Sequence, residues 1–164
     1  MTPYEHLLQY AEKDGVIVVE CDFESSLQGL YCDGIVFINK DTTSAEKFCT
    51  LAEELGHHHT ACGNIVELDT LDKRKQELLG HRWGIEKALP LSYIVDAVID
   101  GYSNLAELAE HLEVTPEYLQ EAIVYYGQKH GSGMEYRGHL IYFNDESMIV
   151  SPIVDEFIEM KWGK

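Results

Sequence analysis

The stretch Ala45–Thr60, which reads AEKFCTLAEELGHHHT, predicts the helix around which the rest of the chain folds. Thr43 or Ser44, just ahead of it, can accept hydrogen bonds from the first free amides, as residues at a helix start do. Apolar residues recur within the stretch at helical spacing and need a partner surface. These residues are Phe48, Leu51, Ala52 and Leu55.

The same helix carries the pattern EExxH, formed by Glu53, Glu54 and His57. Side chains four residues apart lie on one helix face, about 6 Å from each other, so Glu53 and His57 can bind one metal ion. Glu54 then projects beside them toward a metal-bound water. This is the arrangement of the HExxH helix, with Glu53 in place of the first histidine. A carboxylate oxygen binds zinc at nearly the same distance as an imidazole nitrogen.

A catalytic zinc site needs a third protein ligand. Glu77 and His81, one turn apart on the next helical stretch, are the candidates. His58 lies four residues after Glu54 and offers an alternative ligand pair, or it orients the site, while His59 is expected to face solvent. The opposing interpretation is that EELGHHH is only a polar helix end, because histidines there interact favourably with the helix dipole. His81 would then be an ordinary surface histidine.

The order of the predicted elements indicates an α+β fold, mainly helical, with a small sheet packed on the EExxH helix. Asp33-Gly34 is a strong hairpin signal immediately before that helix. The other predicted elements are helices at Pro3–Asp14, Leu71–Pro90 and Leu91–Ile99, strands at Val16–Val19, Leu30–Tyr31, Ile35–Ile38, Met134–Tyr136 and His139–Phe143, a loop at Ala61–Asp69 and a final helix within residues 151–164.

The C-terminal part has the outline of a helix-turn-helix, with helices at Leu105–Leu112 and after Pro116. Thr115 is a suitable N-cap in front of that proline. The second helix is acidic and polar on its outer face, which favours helical packing or protein contact over DNA binding. We place a soft domain boundary near Tyr102. It divides a domain at 1–101 from a helical appendage at 102–164, unless the whole chain is one compact domain.

Composition excludes several classes of function. A net charge of −17 argues against a surface that binds nucleic acid directly. No apolar run approaches the roughly 20 residues that span a bilayer, and the N-terminus lacks a secretory signal, so a cytoplasmic protein without membrane contact is expected. The four cysteines form no CxxC pair and are expected to be reduced. Cys62, near the histidines, is a further candidate for metal binding.

The string CTLAEELGHHHTACGNI resembles the metallopeptidase segment of the ImmA/IrrE family, in particular its small phage and mobile-element members. GLYCDGIVFINKD resembles the hairpin before that family's zinc helix, and NLAELAEHLEVTPEYLQEA resembles its appended helices. QELLGHRWGIEKALPL resembles the downstream helix, which carries an acidic ligand thirteen residues before a proline. Counting back from Pro90 leads to Glu77.

The resemblance implies a zincin-like fold and a cytoplasmic, zinc-dependent endopeptidase that cleaves a helix-turn-helix repressor of a phage or mobile element. It implies Glu53, His57 and Glu77 as metal ligands and Glu54 as the base, with His58 and His81 as second choices for ligands. With two carboxylates the metal-bound water would be less acidic. That departure allows a slow enzyme or a different metal, Mn2+ or Fe2+.

A non-catalytic reading competes with this one. The chain would then be an anti-repressor or interaction module that binds its partner stoichiometrically on a degenerate metallopeptidase fold. Glu53 in place of the first motif histidine is the feature in its favour.

Overall fold

A computed structural model describes residues 1–23, 26–60, 70–131, 133–145 and 147–153, without the side chain of Thr70. These ranges contain six helices and two small sheets, which confirms a mixed α+β architecture. The elements are α1 (Pro3–Lys13), β1 (Ile17–Cys21), β2 (Gly29–Cys32), β3 (Ile35–Asn39), α2 (Ser44–Thr60), α3 (Thr70–Ala88), α4 (Leu91–Ile99), α5 (Leu105–Leu112), α6 (Pro116–His130), β4 (Met134–Tyr136), β5 (His139–Phe143) and β6 (Met148–Pro152).

The chain divides into two compact units, Met1–Leu119 and Gln120–Lys164, and α6 begins in the first and ends in the second. This division follows packing contacts and falls within a helix. The soft boundary near Tyr102, drawn from sequence texture, stays a prediction.

Helix α2 forms as the sequence predicts. The Thr43 hydroxyl accepts a hydrogen bond from the Glu46 amide at 3.2 Å, and the Glu46 carboxylate accepts one from the Thr43 amide at 2.7 Å. This reciprocal pair is a capping box, which satisfies amides that the first helical turn leaves unpaired. The predicted apolar face is buried, with Leu51 and Leu55 fully inaccessible to solvent.

The first sheet has the order β1-β3-β2 and packs against α2. β2 and β3 form the predicted hairpin, and Asp33 and Gly34 both have positive φ, as a tight two-residue hairpin turn requires. β1 pairs in parallel with β3, a connection that the local sequence pattern does not reveal. Val36 and Ile38 of the central strand are fully buried. β2 lies at the edge of the sheet.

In the second unit, β4, β5 and β6 form an antiparallel sheet in that order. The two predicted strands of this part are confirmed, and the turn between them lies at Arg137-Gly138, where both residues have positive φ. β6 was not predicted, and it takes the first residues of the segment expected to form a final helix. Residues 154–164 of that predicted helix, the Ala61–Asp69 loop and Cys62 lie outside the described residues.

Helices α5 and α6 follow the predicted bounds, and Thr115 caps α6 by accepting a hydrogen bond from the Tyr118 amide at 3.2 Å. A helix-turn-helix role for this pair stays a prediction. Cys21, Cys32 and Cys49 are free thiols, as expected. Among the helices of the described ranges, none has the length and apolar character needed to cross a membrane.

Glu20 on β1 joins three elements of the first unit. Its carboxylate accepts a hydrogen bond from the Tyr4 hydroxyl of α1 at 2.9 Å and another from the Lys47 ammonium group of α2. The hydrogen bond from Lys47 lowers the pKa of Glu20, an effect that partial burial opposes and the Tyr4 contact reinforces.

We expect Glu20→Gln to lower the free energy of unfolding at pH 7 by about 0.5–1 kcal/mol, because solvent screens a partly exposed ion pair. Folding lowers the pKa of Glu20, so its contribution is present above the unfolded value of about 4.3 and is lost as pH falls through the folded value. Urea denaturation of both proteins over a pH series should show their difference shrinking at acidic pH. A difference that does not change with pH would contradict this role of the charge.

Candidate metal centre

Helices α2 and α3 approach each other at unusually close range through glycines. A Cβ added at Gly56 would overlap the carbonyl oxygen of Gly80, and one added at Gly84 would lie 2.6 Å from the carbonyl oxygen of Ala52. On each helix, two small residues four positions apart face the other helix: Ala52 and Gly56 on α2, and Gly80 and Gly84 on α3. Their lack of side-chain volume lets the two backbones come into contact, as small-residue pairs do at close helix crossings.

This approach places polar side chains of the two helices opposite each other. His57 Nε2 of α2 lies 3.5 Å from a carboxylate oxygen of Glu77 on α3. One turn away, His81 Nδ1 of α3 lies 3.4 Å from a carboxylate oxygen of Glu53 on α2. The structure thus brings four of the sequence-predicted site residues together as two histidine–glutamate pairs.

The three predicted ligands, Glu53, His57 and Glu77, do not surround one common point. Within the described residues, no group of three donor atoms lying within 4.8 Å of one another contains Glu53, His57 and Glu77 together. Glu53 faces His81 instead, and its half-exposed side chain would have to turn toward His57 to share a metal with it. The ligand set therefore stays a prediction, with the His57–Glu77 pair as the part that the geometry supports most directly.

The separation of that pair fits one metal ion. Two ligands bonded at about 2.0–2.1 Å to a tetrahedral zinc lie about 3.3 Å apart. The distance from His57 Nε2 to the Glu77 carboxylate is 3.5 Å, close to that value. An imidazole nitrogen and a carboxylate oxygen are both ordinary zinc donors, so these residues fit the ion that the sequence predicts.

Glu54, the predicted base, lies near the His57–Glu77 pair and against strand β2. Its carboxylate accepts a hydrogen bond from the Tyr31 amide of β2, and a Cβ added at Gly29 would lie 3.3 Å from its Oε1. Burial raises the pKa of Glu54, and the negative charges of Glu53 and Glu77 reinforce that effect, while His57 and the Tyr31 amide oppose it. The edge strand thus holds a partly buried carboxylate within electrostatic reach of the predicted ligands.

A model of a known protein family matches residues 11–123, more than half of the 164-residue chain. The family is Peptidase M78, described as the IrrE N-terminal-like domain. The chain belongs to this family. A search of curated proteins found none that matches.

Membership of Peptidase M78 confirms the resemblance to the ImmA/IrrE family and suggests a metallopeptidase type of function. The match spans α2 and α3, so it includes Glu53, Glu54, His57 and Glu77.

His58 and His59 contact residues outside the two histidine–glutamate pairs. His58 Nδ1 lies 2.8 Å from the Tyr31 hydroxyl, and His59 Nε2 lies 2.7 Å from a carboxylate oxygen of Asp14 at the end of α1. His59 was expected to face solvent, but its side chain is only 26% exposed, because its ring also stacks on Trp83. Asp14 and Tyr31 were not singled out in the sequence, because nothing local links them to α2.

Alanine at the three glycines of the crossing tests its tightness. Helix propensity alone would make each change stabilising by up to about 1 kcal/mol. We expect Gly56→Ala to destabilise by at least about 2 kcal/mol, because the new methyl meets rigid backbone. Gly84→Ala should cost less, and Gly80→Ala least, since the His57 ring at 3.1 Å can move and the nearest backbone atoms are 3.3 Å away. Urea denaturation measures all three, and a Gly56→Ala protein as stable as wild type would refute the close contact.

Proposed function

We propose that the chain is a metal-dependent endopeptidase whose centre lies where α2 crosses α3, on a zincin-like version of the fold. The observation that carries the proposal is the placement of Glu54. A half-buried carboxylate lies beside a histidine–glutamate pair whose donor atoms are spaced for one metal ion. A general base beside a metal is the arrangement for metal-assisted peptide hydrolysis, and an adjacent edge strand can bind the extended substrate.

His57 and Glu77 would hold the metal, with Glu53 as the third ligand after its side chain turns from His81. When bound, a zinc ion supplies a Lewis acid for the scissile carbonyl and makes its water a better nucleophile near neutral pH. His81, now 3.4 Å from the Glu53 carboxylate, would give up that contact when Glu53 joins the metal. Mn2+ or Fe2+ remain alternatives, because a site with two carboxylates suits metals that accept more oxygen ligands.

Glu54 would take the proton from the attacking water and return it to the leaving amine. Burial keeps the carboxylate less readily ionised than in water, which brings its pKa nearer to the pH at which it must both accept and donate a proton. The hydrogen bond from the Tyr31 amide fixes the carboxylate, so that it needs little rearrangement between the two transfers.

The proposed substrate is a repressor-type regulatory protein of a phage or mobile element with a helix-turn-helix domain, met in the cytoplasm. Two features of the chain support such a partner. The net charge of −17 repels nucleic acid but attracts a basic DNA-binding protein over long range. β2 is an edge strand beside Glu54, and an extended peptide can pair with such an edge.

One observation favours a second function, that of a non-catalytic anti-repressor or interaction module. Glu53, which replaces the first motif histidine, contacts His81 rather than His57 or Glu77. If that pairing is permanent, the centre has one ligand fewer than a catalytic zinc site requires. The protein would then regulate its partner by binding it, with no bond cleaved.

Glu54→Gln separates the two functions. The substitution keeps the shape of the side chain and removes the base, so we expect metal to stay bound while cleavage falls by about 100-fold or more. The readout is mass-spectrometric detection of new N-termini in cellular DNA-binding proteins after incubation with each variant.

Glu46→Gln is the matched control for this experiment, because it removes one charge from the same helix and glutamine preserves the capping box. This variant should cleave like wild type. New termini produced equally by Glu54→Gln would refute its role as base. Partner regulation without any cleavage, unaffected by Glu54→Gln, would establish the binding module instead.

A further inference from the structure

A second group of metal-ligating side chains lies where the ends of α1 and α2 meet. Asp14 is the C-cap of α1, and His58 and His59 lie in the last turn of α2. An Asp14 carboxylate oxygen is 2.7 Å from His59 Nε2 and 3.8 Å from His58 Nε2, and all three donor atoms lie within 4.8 Å of one another. None of these residues belongs to the two pairs at the α2–α3 crossing.

We propose that Asp14, His58 and His59 form a binding site for a divalent transition-metal ion, separate from the peptidase centre. Two imidazole nitrogens and one carboxylate oxygen are a donor set that suits Zn2+ and its first-row neighbours. The observed separations from Asp14, 2.7 and 3.8 Å, lie on either side of the roughly 3.3 Å expected between ligands of one tetrahedral zinc. Movements of under about 1 Å at these side chains would bring both distances to the roughly 3.3 Å of a tetrahedral zinc site.

Both imidazoles are held by contacts beyond the proposed ion. His58 Nδ1 lies 2.8 Å from the Tyr31 hydroxyl, whose oxygen also accepts a hydrogen bond from the Gly34 amide at 3.1 Å. When His58 donates from Nδ1 to Tyr31, its Nε2 lone pair is directed toward Asp14. A hydrogen bond to the second ring nitrogen is the usual support of a metal-bound histidine. The His59 ring stacks on Trp83 with centroids 4.1 Å apart.

The negative electrostatic potential at the ends of α1 and α2 also favours binding of a cation. Each helix carries about half a negative charge at its C-terminal end. The ends of α1 and α2 lie here together, and Asp14 adds a full negative charge to them. A carboxylate at a helix C-terminus is unfavourable by itself, and a bound divalent cation would offset all three charges at once.

The site is distinct from the peptidase centre because consecutive helical residues point about 100° apart. His57 faces Glu77 on α3, whereas His58 faces Tyr31 and Asp14. His58 was a second choice for the peptidase metal, and its contacts assign it to this group instead. An ion here would fasten the end of α1 to the end of α2, immediately after the peptidase motif.

The test is a zinc titration of metal-free, full-length protein against a fluorescent zinc chelator. Wild type should bind two equivalents. Asp14→Asn and His59→Gln should each lose one of them, or weaken it at least tenfold, and His57→Gln should lose the other. Glu12→Gln, which removes one exposed charge from the same helix as Asp14, is the control and should bind two. The His57→Gln, Asp14→Asn double variant should bind none.

Full binding by both Asp14→Asn and His59→Gln, equal to wild type in number and affinity, would overturn the proposal and leave Asp14 as a hydrogen-bond acceptor only. Loss of zinc in these variants with no effect of His57→Gln would support this site and count against the peptidase centre. Should Asp14→Asn not fold, thermal unfolding decides the matter. Zinc should raise the melting temperature of His57→Gln, and should not raise that of the His57→Gln, His59→Gln double variant.

Discussion

The backbone contact between α2 and α3 is the constraint on which the candidate peptidase centre depends. Gly56 meets Gly80, and Gly84 meets Ala52, so no side chain separates the helices there. Every polar pair across the crossing owes its short distance to that approach. A pair of larger residues would widen the gap by several ångströms, and His57 and Glu77 could then no longer share one ion.

The crossing concentrates negative charge. Glu53, Glu54 and Glu77 lie near one another at the crossing, and the first two of these glutamates are only partly exposed. Like charges at this range repel, and the charges of Glu53 and Glu77 contribute to the raised pKa of Glu54. Such a cluster is costly in a chain that already carries −17, unless it has a function that uses the charge. A divalent cation is the simplest compensation, and the same reasoning applies at the ends of α1 and α2.

Much of this arrangement could be predicted from the sequence, because the decisive signals are local. The capping residue Thr43, the apolar spacing of α2 and the Asp33-Gly34 turn each act within a few residues, and each is confirmed. The resemblance to the ImmA/IrrE family led to Glu77, which the structure places 3.5 Å from His57. Family membership rests on a match over residues 11–123.

Other features depend on contacts between distant segments and left no local signal. The parallel pairing of β1 with β3, the strand β6 and the contact of Asp14 with His59 are of this kind. The pairing of Glu53 with His81 is another, since either residue could have faced solvent. Glycines inside predicted helices indicate close packing only in retrospect, because their sequence spacing does not say which helix they meet.

The most direct measurement is anomalous diffraction at the zinc absorption edge from crystals of the protein grown with zinc. The predicted result is a strong anomalous peak bonded to His57 Nε2 and to the Glu77 carboxylate, with Glu53 turned away from His81 to join it. If zinc is present in excess and His57 and Glu77 remain a bare pair with no peak between them, the crossing of α2 and α3 is not a metal centre. The proposal of a peptidase built on it would then be wrong.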